Sequence, residues 1–209
     1  MIKKILVSQP APATDKSPYH DIAQNLGVEF TFQPFVKVEG LEAREFRSQK
    51  VNILDHTAIV FNSRNAIEHF FHLCKELRVT LPEDMKYFGI SEKVILYIQK
   101  FVQYRKRKVF FGTSGHWPEL LTVMAKHKTE KYLFPLSEGT SLEIAGQLDQ
   151  KKIKHTECAM FRTVQAKLDE DTFKNYDMIL IFTPVGVQSL LSNFPNFNQG
   201  DIRLGCFGD

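Results

Sequence analysis

The chain has 209 residues, 43% of them hydrophobic, enough for one large domain or two small ones, each with its own core. Its net charge of +3 is mild; it does not by itself imply nucleic acid, and it is compatible with an anionic small molecule. Cys74, Cys158 and Cys206 are odd in number and without metal or redox spacing, which points to a reduced cytosolic compartment. No apolar run approaches the ~18–20 residues of a membrane span.

Residues 2–7 read as a buried strand, too short an apolar run for a signal peptide. After a Pro- and Ala-containing loop, Ser17-Pro18 looks like an N-cap followed by Pro at the first helical position. Tyr19, Ile22, Ala23 and Leu26 form one helical face, and Gly27 suits the C-terminal cap. Residues 28–32 are a second strand, so the chain opens as β-α-β and predicts a parallel sheet. Residues 33–38 stay extended and cross into another domain.

There the pattern predicts a short polar helix over 41–49 and a strand over 57–61. The helix that follows buries Ala66, Ile67, Phe70, Phe71, Cys74 and Leu77 and turns His69 and His72 outward. A short strand over 86–88 stops at Gly89, and Val94, Ile95, Ile98, Phe101 and Val102 mark one amphipathic helix. The strand over 109–111 turns at Gly112-Thr113-Ser114-Gly115. A Pro118 helix, a strand over 132–135, a polar loop and a helix around Leu142, Ala145 and Leu148 follow. Residues 157–164 cross back. A strand over 178–182, the Gly186 helix and a strand over 202–207 finish the chain, and the first domain is expected to lack its last helix and strand.

The stretch with most chemical content is Asn62-Ser63-Arg64-Asn65, where an apolar run stops at polar residues and a helix begins. Such a junction puts hydroxyl and amide groups at the carboxyl end of a strand, beside the free N–H groups of a helix start, where open α/β sheets bind ligands. Ser63 and Arg64 suit a carboxylate or phosphate, and the same residues also suit a plain helix cap. Thr183-Pro184-Val185-Gly186 is a second, less polar copy; aligning Ser63 with Thr183 also aligns Ala66-Ile67 with Gly186-Val187. Phe88-Gly89 and Phe207-Gly208 fall at nearly the same distance beyond each junction, so two related halves are expected to bring their junctions to a shared site.

Gly112-Thr113-Ser114-Gly115 lacks the Lys of a P-loop and the spacing of a dinucleotide fingerprint, which leaves a plain turn or a backbone-amide contact for an anion. Arg105-Lys106-Arg107-Lys108 reads as a solvated helix end or as an attractor of polyanions. The seven histidines show no metal spacing; His116, beside Trp117 near a turn, is an outside candidate for acid–base work. Glu170-Asp171 look like loop or helix-start residues.

Taken together, these residues resemble those of the uroporphyrinogen-III synthase family over nearly the whole chain. The carriers are Ala58-Ile59-Val60-Phe61-Asn62-Ser63-Arg64-Asn65-Ala66, Gly89, Ala159-Met160-Phe161-Arg162-Thr163, Asp177 through Gly186, and Cys206-Phe207-Gly208. The resemblance implies two flavodoxin-like, doubly wound parallel-sheet α/β domains joined by a two-stranded connector. The first domain would be discontinuous and truncated at its C-terminal end, over 1–34 and 165–209. The second would cover 39–156, with connector strands at 35–38 and 157–164. A cleft between the domains would hold hydroxymethylbilane, a linear polycarboxylate tetrapyrrole, and close it with loss of water and inversion of ring D. No metal or cofactor is implied. The protein would be a cytoplasmic monomer with no nucleic-acid or membrane partner.

The substrate-binding candidates are Asn62, Ser63, Arg64, Gly89, Ser91, Gly112, Thr113, Phe161, Thr183 and Gly186, and no catalytic residue is assigned. Three positions depart from the family's usual residues. Glu92 stands where Thr is frequent, Phe161 where a Tyr is common, and Thr183-Pro184-Val185 where Ser-Pro-Ser is usual. The alternative is therefore a weakly active or inactive tetrapyrrole-binding or regulatory protein on the same scaffold.

Overall fold

The computed structural model describes residues 1–14, 16–169, 173 and 175–207. Strand β1 (Lys4–Val7) buries Ile5, Leu6 and Val7. Helix α1 (Pro18–Leu26) begins at Ser17, whose hydroxyl accepts from the Tyr19 amide, and ends at Gly27 in the left-handed region, φ 62°. Both caps are those the sequence predicts. The apolar face of α1 is thinly covered, since none of its residues is buried. Its main anchor is Tyr19, packed edge-on at 5.1 Å against both Phe30 and Phe32 of strand β2 (Glu29–Phe32).

The next elements are β3 (Val36–Gly40), α2 (Ala43–Ser48), β4 (Ala58–Phe61), α3 (Arg64–Glu76), β5 (Lys86–Gly89) and α4 (Glu92–Ile95). They are followed by β6 (Val109–Phe111), α5 (Trp117–Met124), β7 (Tyr132–Ser137), α6 (Ala145–Gln150) and β8 (His155–Gln165). The single helix expected across Val94 to Val102 is instead α4 followed by a 3₁₀ turn, Leu96–Lys100. Ile95 and Ile98 are both fully buried, and a 3₁₀ turn lines up side chains three apart. The basic run from Arg105 to Lys108 is not a helix end. It lies beyond that turn and leads through a separate 3₁₀ turn, Lys106–Lys108, into β6.

Two compact units result, Met1–Lys37 with Thr163–Asp209, and Val38–Arg162. The second carries a sheet in the order β3-β8-β7-β4-β5-β6, with β8-β7, β7-β4, β4-β5 and β5-β6 all parallel. Alternation along β4 explains its layers. Ile59 and Phe61 pack with Ile67, Phe70 and Leu73 of α3, while Ala58 and Val60 pack with Leu120 and Met124 of α5 and Leu148 of α6. Every residue of β4 is buried, the pattern of a parallel strand covered on both faces. The chain passes from β4 to β5 on one side and returns through α5 to β7 on the other. The crevice between β4 and β7 is therefore a topological switch point.

The chain closes with β9 (Met178–Ile181), α7 (Pro184–Asn193) and β10 (Arg203–Cys206). These complete a parallel sheet in the order β10-β9-β1-β2 over a core of Leu6, Phe35, Leu168, Phe173, Ile179, Ile181 and Leu190. The Asp177 carboxylate accepts from the amides of Lys3 and Lys4 at 2.7 and 2.9 Å and so ties the start of β9 to that of β1. Glu170, Asp171, Gly208 and Asp209 lie outside the described residues. Among the described residues no helix is long and apolar enough to cross a membrane.

Candidate functional site

Ser63 has extended backbone, φ −153° and ψ 162°, between β4 and α3. Its hydroxyl oxygen accepts from the Ala66 amide at 3.1 Å. Thr183 repeats this between β9 and α7, with φ −145°, ψ 151° and the same bond from the Gly186 amide, also 3.1 Å. Ser91 caps α4 through the Val94 amide at 3.4 Å. All three hydroxyls are helix caps, yet capping uses only an acceptor site, so each O–H remains able to donate. The first amides of α3, at Arg64 and Asn65, have no partner within the helix.

At the switch point of the second unit the Asn62-Ser63 junction opens onto a cleft of about 340 Å³, which neither Ser91 nor Thr183 lines. Asn62 and Ser63 come from the end of β4, and Leu136 and Ser137 from the end of β7. Thr140 to Glu143 come from the loop after β7, Trp117 from the start of α5 and Phe161 from β8. Glu143 is the one ionisable side chain among these lining residues. The cleft therefore presents mostly neutral donors, with Trp117, Leu136 and Phe161 as apolar walls.

Other expected site residues sit differently. The Arg64 guanidinium lies 5.5 Å over the Tyr97 ring and does not line the cleft. Gly89 and Gly112 are close-packed: a Cβ on Gly89 would lie 2.4 Å from the Ile95 Cβ, and one on Gly112 3.1 Å from the Ile90 carbonyl oxygen. Gly186 is similar, 3.0 Å from Ile181 Cγ2. His116 precedes α5 without a side-chain capping bond and does not line the cleft. His69, expected on the exposed face of α3, is half-buried because its ring stacks on Phe161 at 5.4 Å.

The turn at Thr113 holds an anion of its own. Glu119 Oε2 accepts from the Thr113 hydroxyl at 2.6 Å, the Thr113 amide at 2.8 Å and the Ser114 amide at 2.7 Å. These donors, the Thr113 hydroxyl first, pull the Glu119 carboxyl down to about 2 from an ordinary 4.5. Because the folded value is depressed, this contact's contribution to stability is complete above the ordinary value and is lost as pH falls toward 2. A carboxyl ¹³C titration of Glu119 is expected to show its midpoint near 2. A midpoint at 4.5 would mean that the turn is open to an external anion.

Arg162, beside Phe161, is likewise committed. It meets Glu45 at 2.9 Å, Glu39 at 3.3 Å and Glu138 at 3.6 Å. Among the described residues no group of three or more His, Cys, Asp or Glu is placed to hold a metal ion.

Sequence reasoning reached Asn62, Ser63 and Phe161 but missed Trp117, Ser137 and the loop from Thr140 to Glu143 as lining residues. Only the polar character of the loop after β7 signalled it.

A sheet with helices on both faces and a hydroxyl-lined cleft at its switch point defines an α/β protein with a polar cleft where such sheets bind ligands. The family model for uroporphyrinogen-III synthase HemD matches residues 17–209, and the chain belongs to the uroporphyrinogen-III synthase family, which acts on hydroxymethylbilane in tetrapyrrole biosynthesis.

Solved structures share the fold. A mutant uroporphyrinogen III synthase from the extremely thermophilic bacterium Thermus thermophilus superposes with a TM-score of 0.55 at 13% identity, over 98% of this chain and 83% of that one. Uroporphyrinogen-III synthetase from Helicobacter pylori gives 0.56 at 11% identity, over 99% and 84%. No curated protein matches the chain.

Proposed function

We propose that this chain is a uroporphyrinogen-III synthase, closing hydroxymethylbilane with loss of water and inversion of ring D. The observation that carries the reading is the family match over residues 17–209, with its Asn62-Ser63 motif at the switch-point cleft. At about 340 Å³ the cleft is at the low end of small-molecule sites, roughly 300–1,000 Å³, so it takes one part of a linear tetrapyrrole. The Ser63, Ser137 and Ser141 hydroxyls and the first amides of α3 hold carboxylates of the folded substrate, while the Thr140 hydroxyl is committed to the Ser137 carbonyl. Phe161 and Trp117 wall its pyrroles. Positioning of the two chain ends is the main source of rate, as it can be when reacting groups are held at near-attack distance.

The same reading takes the fold as two flavodoxin-like domains, 1–34 with 165–209 and 39–156, joined by strands at 35–38 and 157–164. It gives Thr183 and Gly186 a substrate-binding role in the first domain. The protein acts as a cytoplasmic monomer without metal or cofactor. Support comes from the two parallel sheets and from the matching caps at Ser63 and Thr183.

The second reading, a tetrapyrrole-binding or regulatory protein without the closure step, is favoured by Phe161, which cannot donate a proton. To separate the two, hydroxymethylbilane is generated in place and the porphyrin isomers are resolved after oxidation. Isomer III is the expected product. Isomer I alone, the spontaneous product, would overturn the enzyme reading, and tetrapyrrole binding without isomer III would support the second.

A further inference from the structure

The ring of Phe161 owes its place to two features that lie away from the cleft itself. The first is a β-bulge. Leu136 pairs with Ala159 but the next residue, Ser137, pairs with Phe161, so Met160 is an extra residue in β8. In a regular strand Met160 and Phe161 would point to opposite faces. Here both join Cys158 in the layer against α3, and Phe161 is 7% exposed. The second is His69 of α3. Its imidazole stacks on the Phe161 ring at 5.4 Å with an interplanar angle of 20°. Behind His69 lies Gly40 of β3, where a Cβ would come within 3.0 Å of Nδ1. Backbone therefore backs the imidazole, the imidazole backs the phenyl ring, and the phenyl ring lines the cleft.

We propose that His69 is a positioning residue for the tetrapyrrole cleft, holding the Phe161 ring in the wall against which the substrate folds. This rests on the reading of the chain as a uroporphyrinogen-III synthase. The Phe161 ring is held by its packing against α3, and removing the stacking imidazole leaves space beside the ring into which it can tilt, so that the cleft wall is no longer fixed. His69 touches no substrate, and its effect is on binding through Phe161. Phenylalanine at position 69 supplies an equivalent stacking face.

The test compares the wild-type chain with H69A and H69F. Trp117 is the chain's only tryptophan and lines the cleft, so quenching of its fluorescence by uroporphyrin III reports binding without turnover. For H69A the expected result is a Kd for uroporphyrin III and a KM for hydroxymethylbilane each raised about tenfold, with kcat within about twofold of wild type. For H69F both constants return to near the wild-type values. H69A with unchanged Kd and KM, or H69F as impaired as H69A, overturns the positioning role while leaving the enzyme reading intact. A fall in kcat with constant KM also overturns it, because that pattern belongs to a group acting on the reacting atoms. A wild-type chain that makes only isomer I and does not quench with uroporphyrin III overturns both.

Discussion

Alanine in place of Gly89 is expected to destabilise the unit Val38–Arg162 by about 3 kcal/mol or more. The added Cβ would lie 2.4 Å from the Ile95 Cβ, an atom fixed directly to the backbone of α4 rather than the end of a flexible side chain. Relief requires α4 to move away from β5, which disturbs the buried Ile95 and Ile98 and the cap at Ser91. Overpacking alone costs about 1–3 kcal/mol and sometimes more, and loss of a cap adds about 1 kcal/mol. Trp117 fluorescence followed in urea reads this unit specifically, because the chain has no other tryptophan. Gly146 of α6 is the control. A Cβ there meets nothing within 4 Å, so G146A is expected to be neutral or stabilising by up to about 1 kcal/mol. A Gly89 variant of wild-type stability would mean that the glycine is there for a ligand rather than for packing.

Truncating Phe88 to alanine is expected to cost about 3–5 kcal/mol in the same assay. Phe88 is 0% exposed and lies in the layer that joins β4, β5 and β7 to α5 and α6. Its ring stacks on Phe110 at 4.9 Å and meets Tyr132 edge-on at 5.1 Å. Removal leaves a cavity between two other rings that close-packed neighbours cannot fill, and both aromatic pairs are lost. Because a domain's total stability is only about 5–15 kcal/mol, the variant sits near the edge of folding. F88L, which retains most of the volume, is expected to lose less than half as much. A Phe88→Ala midpoint shift worth less than about 1 kcal/mol would show that this layer is loosely packed.

Much of the fold was legible because it is decided locally. Ser17-Pro18 and Gly27 bracket α1 by torsion preference and one capping bond. Ser63 and Thr183 were readable as strand-to-helix junctions for the same reason, and they adopt nearly the same geometry. Misreadings arose where a distant contact overrides local pattern. His69 lies on the polar side of α3 by spacing, yet Phe161, from a strand far along the chain, covers it. The turn at Gly112 left a plain turn and an anion contact both open, and the anion its amides meet is Glu119, from the first turn of α5. The helix expected beyond Ile95 tightens into a 3₁₀ turn because Ile95 and Ile98 share one buried seam.

The sequence by itself determined the elements, their caps, the parallel α/β class and the family, because strand alternation, helix periodicity and capping act over a few neighbouring residues. Tertiary structure alone decided which loops meet. Asn62-Ser63 face Ser137 and Glu143 because β7 pairs with β4 on the side away from β5, and that order follows from burying α5 against the Ala58–Val60 face. It also decided the aim of Phe161, which an extra residue in β8 turns toward α3. Pairing register and crossover are set by the total apolar surface buried across the whole sheet, a quantity no short stretch of chain contains.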